Sequence, residues 1–145
     1  MPRKILYIDD DEGLRTLVKR GFGREGIDVV NAGSGEDGLM ALAAHTDIDV
    51  VALDLYMPGL SGIETLERIN TLANHPPVVV VTGAQDSRMA VAALKAGAFD
   101  YVVKDVQGEF IFLLKTALQS AVAAMPWRWR KAPTSLRSWR PASRR

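Results

Sequence analysis

Short apolar runs alternate five times with longer stretches of helical period along this chain. The runs cover residues 4–8, 28–31, 50–53, 78–81 and 99–103 and are rich in Val and Ile. Strands covered on both faces read this way, because neither side of the sheet meets water. Between them lie helical stretches. Leu14, Leu17 and Val18 make one apolar stripe, and Leu39, Leu42 and Ala43 a second. Ser61-Gly-Ile-Glu64 has the form of a capping box, in which the serine and the glutamate each satisfy a free amide at a helix start. Ala90, Val91 and Leu94 are expected to face inward on a fourth helix that stops at Gly97, a left-handed cap. A last helix, beginning near Gln107, puts Phe110, Leu113, Leu114, Ala117 and Ala121 on its inner side. Ile111, Phe112, Leu118 and Val122 extend apolar surface beyond that stripe and are candidates for an interface.

Strict alternation of strands and helices implies a parallel sheet covered on both faces by right-handed crossovers. Ligands in such sheets bind beyond the carboxyl ends of the strands. Here strand one ends in Asp9-Asp10-Asp11, strand three in Asp54, strand four in Thr82-Gly83 and strand five in Lys104-Asp105. A carboxylate leaving water at a strand end must be paired. Two of them about 5 Å apart repel by about 3 kcal/mol at an effective dielectric of about 20. A hard divalent cation relieves that repulsion, and Mg2+ takes one or two carboxylates while keeping waters that a phosphate can displace. A lysine at the same edge neutralises phosphate oxygens, and a threonine hydroxyl can donate to one. The constellation reads as a Mg2+-assisted phosphoryl-transfer site with a carboxylate nucleophile.

Each residue also has a plainer reading. The run from Asp9 to Glu12 could cap the first helix, and Asp11 is expected to do only that. Asp54 could be a turn residue before Met57-Pro58-Gly59, Thr82 a strand residue, Lys104 a surface lysine and Tyr101 part of the core. His45 and His75 carry no partner pattern and receive no role. Plain readings suit each position singly, but not their joint occurrence at four strand ends.

The stretches ILYIDDDE, VVALDLYMPGLSG, VVVVTG and GAFDYVVKD, in that order, resemble the receiver domain of two-component response regulators over about residues 3 to 124. The resemblance implies a flavodoxin-like α/β fold, a doubly wound parallel sheet of five strands in the order 2-1-3-4-5. It implies that Asp54 is the phosphoacceptor and that Asp10 holds Mg2+ directly, with Asp9 acting through water. The backbone carbonyl of Tyr56 would be a further metal ligand, Thr82 the switch hydroxyl, Lys104 the phosphate-pairing lysine and Tyr101 the aromatic switch. The implied donor is a sensor histidine kinase or a phosphotransfer protein. The implied output is a downstream protein target, with a homodimer possible through helix 4, strand 5 and helix 5.

Haloacid-dehalogenase-like phosphatases also place a nucleophilic Asp after a parallel strand, but they need a second acid two residues later. That position is Tyr56 here, so the expectation is a signalling domain rather than an enzyme acting on external phosphoesters. A degenerate receiver serving only as a binding module would lack an acid, the threonine or the lysine, and none is missing. One departure stands out. Most receivers have proline after the lysine, with a cis peptide, whereas this chain has Asp105. A cis bond without proline costs about 2.5 to 4 kcal/mol, so a trans bond or visible strain is expected at Lys104-Asp105.

Charge divides the 145 residues in two. Residues 1–125 hold 11 Lys and Arg against all 17 Asp and Glu, whereas residues 126–145 hold seven cations and no acid. The division predicts a receiver domain over 1–125 and a basic extension over 126–145, with Trp127, Trp129 and Trp139 among its cations. Twenty residues cannot form an output domain, and the extension reads as a solvated tail rather than a nucleic-acid or membrane binder. Zero cysteines suit a reducing compartment, and the first apolar stretch stops at Asp9, too short for a signal-peptide core. The expectation is a cytoplasmic protein.

Overall fold

The computed structural model describes residues 2–83, 87–104 and 108–125. The Lys104-Asp105 peptide and the extension over 126–145 therefore lie outside the described residues. Ten elements alternate along the chain: β1 (Lys4–Ile8), α1 (Glu12–Gly23), β2 (Asp28–Ala32), α2 (Gly35–Ala44), β3 (Val50–Asp54), α3 (Gly62–Asn70), β4 (Val78–Gly83), α4 (Ser87–Lys95), β5 (Asp100–Lys104) and α5 (Phe110–Ala123). All strand pairings are parallel, in the order β2-β1-β3-β4-β5. This is the flavodoxin-like sheet expected from the sequence.

The strand period of two sorts side chains into two cores. Ile5, Tyr7, Val50, Ala52, Val79 and Val81 pack on one face with Val18 and Phe22 of α1 and with Phe110, Leu114, Ala117, Leu118 and Ala121 of α5. Leu6, Ile8, Val51, Leu53, Val78 and Val80 pack on the other with Leu42 of α2, Leu66 and Ile69 of α3 and Ala93 of α4. The expected capping box at Ser61 and Glu64 is present in both directions. Gly97 follows α4 at φ +106°, a conformation that a side chain resists.

Strand and helix positions agree with expectation, whereas several helix phases do not. Leu17 is about half exposed, and Phe22 takes its place beside Val18. Ala43 lies outside the α2 core, to which Leu42 and Leu39 contribute. On α4, Ala90 and Ala93 are buried while Val91 and Leu94 are exposed. Small side chains bring this helix close to β4 and β5, and its bulkier stripe is left exposed among the described residues. On α5, Leu113 faces outward and Leu118 is fully buried. Phe110, Leu114, Ala117, Leu118 and Ala121 follow the i, i+4, i+7, i+8, i+11 stripe of one helix face. Leu118 is thus core and not an interface residue. Ile111 and Val122 pack partly against the same core, which leaves Phe112, 69% exposed, as the one fully outward candidate of the four. Helix α5 starts at Phe110, later than expected.

Candidate functional site

The carboxyl ends of β1, β3, β4 and β5 meet at one edge of the sheet because all pairings are parallel and in register. Asp54 lies opposite Val81, Thr82 opposite Val103 and Gly83 opposite Lys104. Carboxylate oxygens of Asp9, Asp10 and Asp54 lie within 4.8 Å of one another. Asp9 and Asp54 are buried and Asp10 is exposed, so the cluster opens to solvent on one side. Three hard oxygen donors at this spacing are suited to a divalent cation.

Lys104 reaches across the sheet from β5. Its Nζ lies 3.1 Å from Asp54 Oδ2 and 3.1 Å from Asp9 Oδ2. Asp54 Oδ1 accepts from the Tyr56 amide at 3.2 Å. Burial, followed by the charge of Asp9, pushes the Asp54 carboxyl up to about 6, against the opposing pull of Lys104 and the Tyr56 amide. Burial works against the charge of Lys104, but Asp54 and Asp9 outweigh it and hold its pKa above the ordinary lysine value. The site therefore carries an excess of negative charge that one ammonium relieves only in part.

Asp11 stands apart from the cluster and caps α1, accepting from the Leu14 amide at 3.1 Å. Thr82 is buried, and its hydroxyl donates to the Gly83 carbonyl at 3.2 Å. Tyr101 is exposed on β5. The Tyr56 side chain is exposed too, while its backbone lies two residues beyond Asp54. Gly62 begins α3 directly against this turn: a Cβ there would sit 2.4 Å from Leu55 Cα and 2.5 Å from the Asp54 carbonyl oxygen.

Two residues of the site were not singled out from the sequence. Arg15 of α1 donates through Nη1 to the Asp9 carbonyl at 2.8 Å. Tyr7 is buried in β1 and donates its hydroxyl to Asp9 Oδ2 at 2.6 Å. Burial and the Asp9 hydrogen bond raise its pKa, so the phenol stays protonated. The signal for Tyr7 was its place two residues before Asp9, on the same strand face.

A family model, the response regulator receiver domain, matches residues 5–114. The nitrate/nitrite response regulator protein NarL of Escherichia coli K12 is 40% identical over 126 residues, covering 86% of this chain and 57% of that protein. The transcriptional regulatory protein AfsQ1 of Streptomyces coelicolor is 38% identical over 107 residues, covering 74% and 47%. The chain thus spans about half the length of these two relatives. A response regulator receiver domain from Clostridium thermocellum has a crystal structure that superposes with a TM-score of 0.74 at 35% identity, covering 83% of this chain and 94% of that one. The FixJ-N crystal structure gives 0.73 at 30% identity, covering 87% and 98%. A family model matched over residues 5–114 and a fold shared with solved receiver domains together mean that this chain belongs to the response regulator receiver domain family.

Proposed function

We propose that this receiver domain accepts one phosphoryl group on Asp54, with Mg2+, from a sensor histidine kinase or phosphotransfer protein. The observation that carries the reading is the meeting of Asp9, Asp10 and Asp54 with Lys104 at one sheet edge. Asp10, Asp54 and the Tyr56 carbonyl would hold the ion, with Asp9 acting through water. Bound there, Mg2+ supplies positive charge to phosphoryl oxygens.

An Asp54 carboxylate oxygen attacks phosphorus, the P–N bond to the donor imidazole breaks as the new P–O bond forms, and the imidazole, already protonated on its other ring nitrogen, leaves as the neutral ring. Lys104 passes from the Asp54 carboxylate to a phosphoryl oxygen. The phosphoryl group carries about 1.5 to 2 negative charges in place of the single charge of the carboxylate, so the edge gains up to about one. In this reading the Thr82 hydroxyl turns from the Gly83 carbonyl toward the phosphoryl group, and Tyr101 moves inward from its exposed position. The surface of α4, β5 and α5 then changes for a downstream protein. The domain is a phosphoacceptor rather than an enzyme acting on other substrates. We assign it to residues 1–125, with 126–145 as an extension given no nucleic-acid or membrane role, and place it in the cytoplasm. No helix among the described residues is long and apolar enough to cross a membrane.

Labelling from a small acyl phosphate should require Mg2+ and stop with excess chelator. In a calorimetric Mg2+ titration, Asp10→Ala should weaken binding at least 10-fold, whereas Asp11→Ala, which loses only a helix cap, should change it less than 2-fold. Equal losses would mean that the ligand and the cap had been wrongly told apart.

The same surface is the proposed site of a phosphorylation-dependent homodimer. Val91, Leu94, Tyr101, Phe112 and Leu113 are exposed on α4, β5 and α5, and Tyr101, Leu113 and Ala117 help line a groove of about 430 Å³ between β5 and α5. Exposed apolar side chains gathered on one face mark a candidate contact surface. Sedimentation should show a dimer on phosphorylation and its loss in Leu113→Glu. A phosphorylated chain that stays monomeric at 100 μM rejects this part of the reading.

A further inference from the structure

Strand β1 reads KILYI, and its one aromatic side chain brings a hydroxyl into an otherwise apolar core. The Tyr7 ring is fully buried among Val18, Phe22, Val50 and Ala52 on the α1 and α5 face. Phenylalanine would fill the same volume without a polar atom to desolvate. The hydroxyl is paired with Asp9 Oδ2 at 2.6 Å. That oxygen also faces Lys104 Nζ at 3.1 Å, and Asp9 Oδ1 accepts from the Asp11 amide at 2.9 Å. Asp9 is therefore held at both oxygens. Lys104 in turn contacts Asp54 Oδ2 at 3.1 Å, so a continuous chain of polar contacts runs from the core through Tyr7, Asp9 and Lys104 to Asp54.

We infer that Tyr7 is a positioning residue: its buried hydroxyl locks the Asp9 carboxylate in one orientation, and through it sets Lys104 and the cation site around Asp54. The inference rests on the phosphoacceptor reading for its consequence, but its geometry concerns the metal-free chain as well. Without the phenol, the buried carboxylate keeps only Lys104 at Oδ2 and the Asp11 amide at Oδ1, and is held less tightly about its Cβ–Cγ bond. Lys104 then loses a fixed partner. Partners that orient the groups around a metal typically matter 10- to 100-fold in metal affinity.

The test compares the parent chain, Tyr7→Phe, Asp9→Asn and the double variant, with urea unfolding to establish that each is folded. In the metal-free chain, the ¹⁵N resonance and hydrogen exchange of the Lys104 ammonium report its positioning. Tyr7→Phe should accelerate that exchange several-fold. In Mg2+ titrations it should weaken binding about 10-fold, and in the Asp9→Asn background it should have no further effect on either quantity. Unchanged Lys104 exchange in Tyr7→Phe overturns the inference, as does an equal effect with and without Asp9, which would mean that the hydroxyl acts by a route other than Asp9. Failure of the phosphoacceptor reading looks different: the parent chain itself would take no label on Asp54, whatever happens at Lys104.

Discussion

Asp54→Asn should take up no phosphoryl group and should also be more stable than the parent chain in Mg2+-free buffer above pH 7. The first effect follows from chemistry, since an amide is a poor nucleophile. The second follows from burial. Asp54 is 4% exposed, and its carboxyl is pushed from the ordinary 3.8 to about 6, chiefly by burial and then by Asp9. Below the ordinary value, folded and unfolded chains both carry the proton, and the site imposes no cost. Between about 4 and 6 the unfolded chain releases its proton while the folded chain keeps it, so stability falls as pH rises. Above 6 the whole cost is present, up to about 3 kcal/mol at 1.36 kcal/mol for each pKa unit. The asparagine variant escapes it. Urea unfolding at pH 4 and pH 8 measures the difference, which should be small at the lower pH and large at the higher. A stability gain equal at both values would contradict the buried-charge account, and undiminished labelling would place the phosphoacceptor elsewhere. Added Mg2+ should narrow the gap at pH 8, because a bound cation favours the ionised carboxylate.

Gly62→Ala should be among the most damaging single-methyl changes in the domain, at about 3 kcal/mol and about 10 °C in melting temperature. The added Cβ would lie 2.4 Å from Leu55 Cα, 2.5 Å from the Asp54 carbonyl oxygen and 2.9 Å from that of Leu55. These are backbone atoms, so no rotamer change relieves the overlap. Either α3 or the end of β3 must move. Movement of β3 would displace Asp54 from Lys104, so the labelling rate should fall along with stability. Gly23→Ala is the control, at the last position of α1, where an added Cβ would meet nothing within 4 Å. It should be neutral or slightly stabilising, because alanine favours helix over glycine. A Gly62→Ala chain that unfolds at the parent's urea midpoint would rule out the close approach of α3 to the phosphoacceptor turn.

Much of this protein is encoded by signals that act within a few residues. Five Val- and Ile-rich runs, the Ser61 capping box and Gly97 at its positive φ each reflect local preference, and the observed elements fall where these signals put them. Alternation of strand and helix then leaves few topologies, and the strand-end residues Asp9, Asp10, Asp54, Thr82 and Lys104 were legible because a charge or hydroxyl after an apolar run stands out. Their distances were not legible. That Lys104 lies 3.1 Å from both Asp9 and Asp54 depends on strands brought together from opposite ends of the chain. Helix phase was also decided in three dimensions. Val91 and Leu94 compete with Ala90 and Ala93 for the inner face of α4, and the sheet edge selects the small pair. Leu118 belongs to the core because α5 lies on the face shared with α1, and Phe112 is left outside for the same reason. Tyr7 shows the limit most directly: within β1 it reads as one more apolar residue, and only a folded core that carries its hydroxyl to Asp9 gives that oxygen a partner. Sequence determined the elements and the chemistry of their ends because propensity and pattern are local. Tertiary packing decided which faces are buried and which charges meet, because those depend on neighbours distant along the chain.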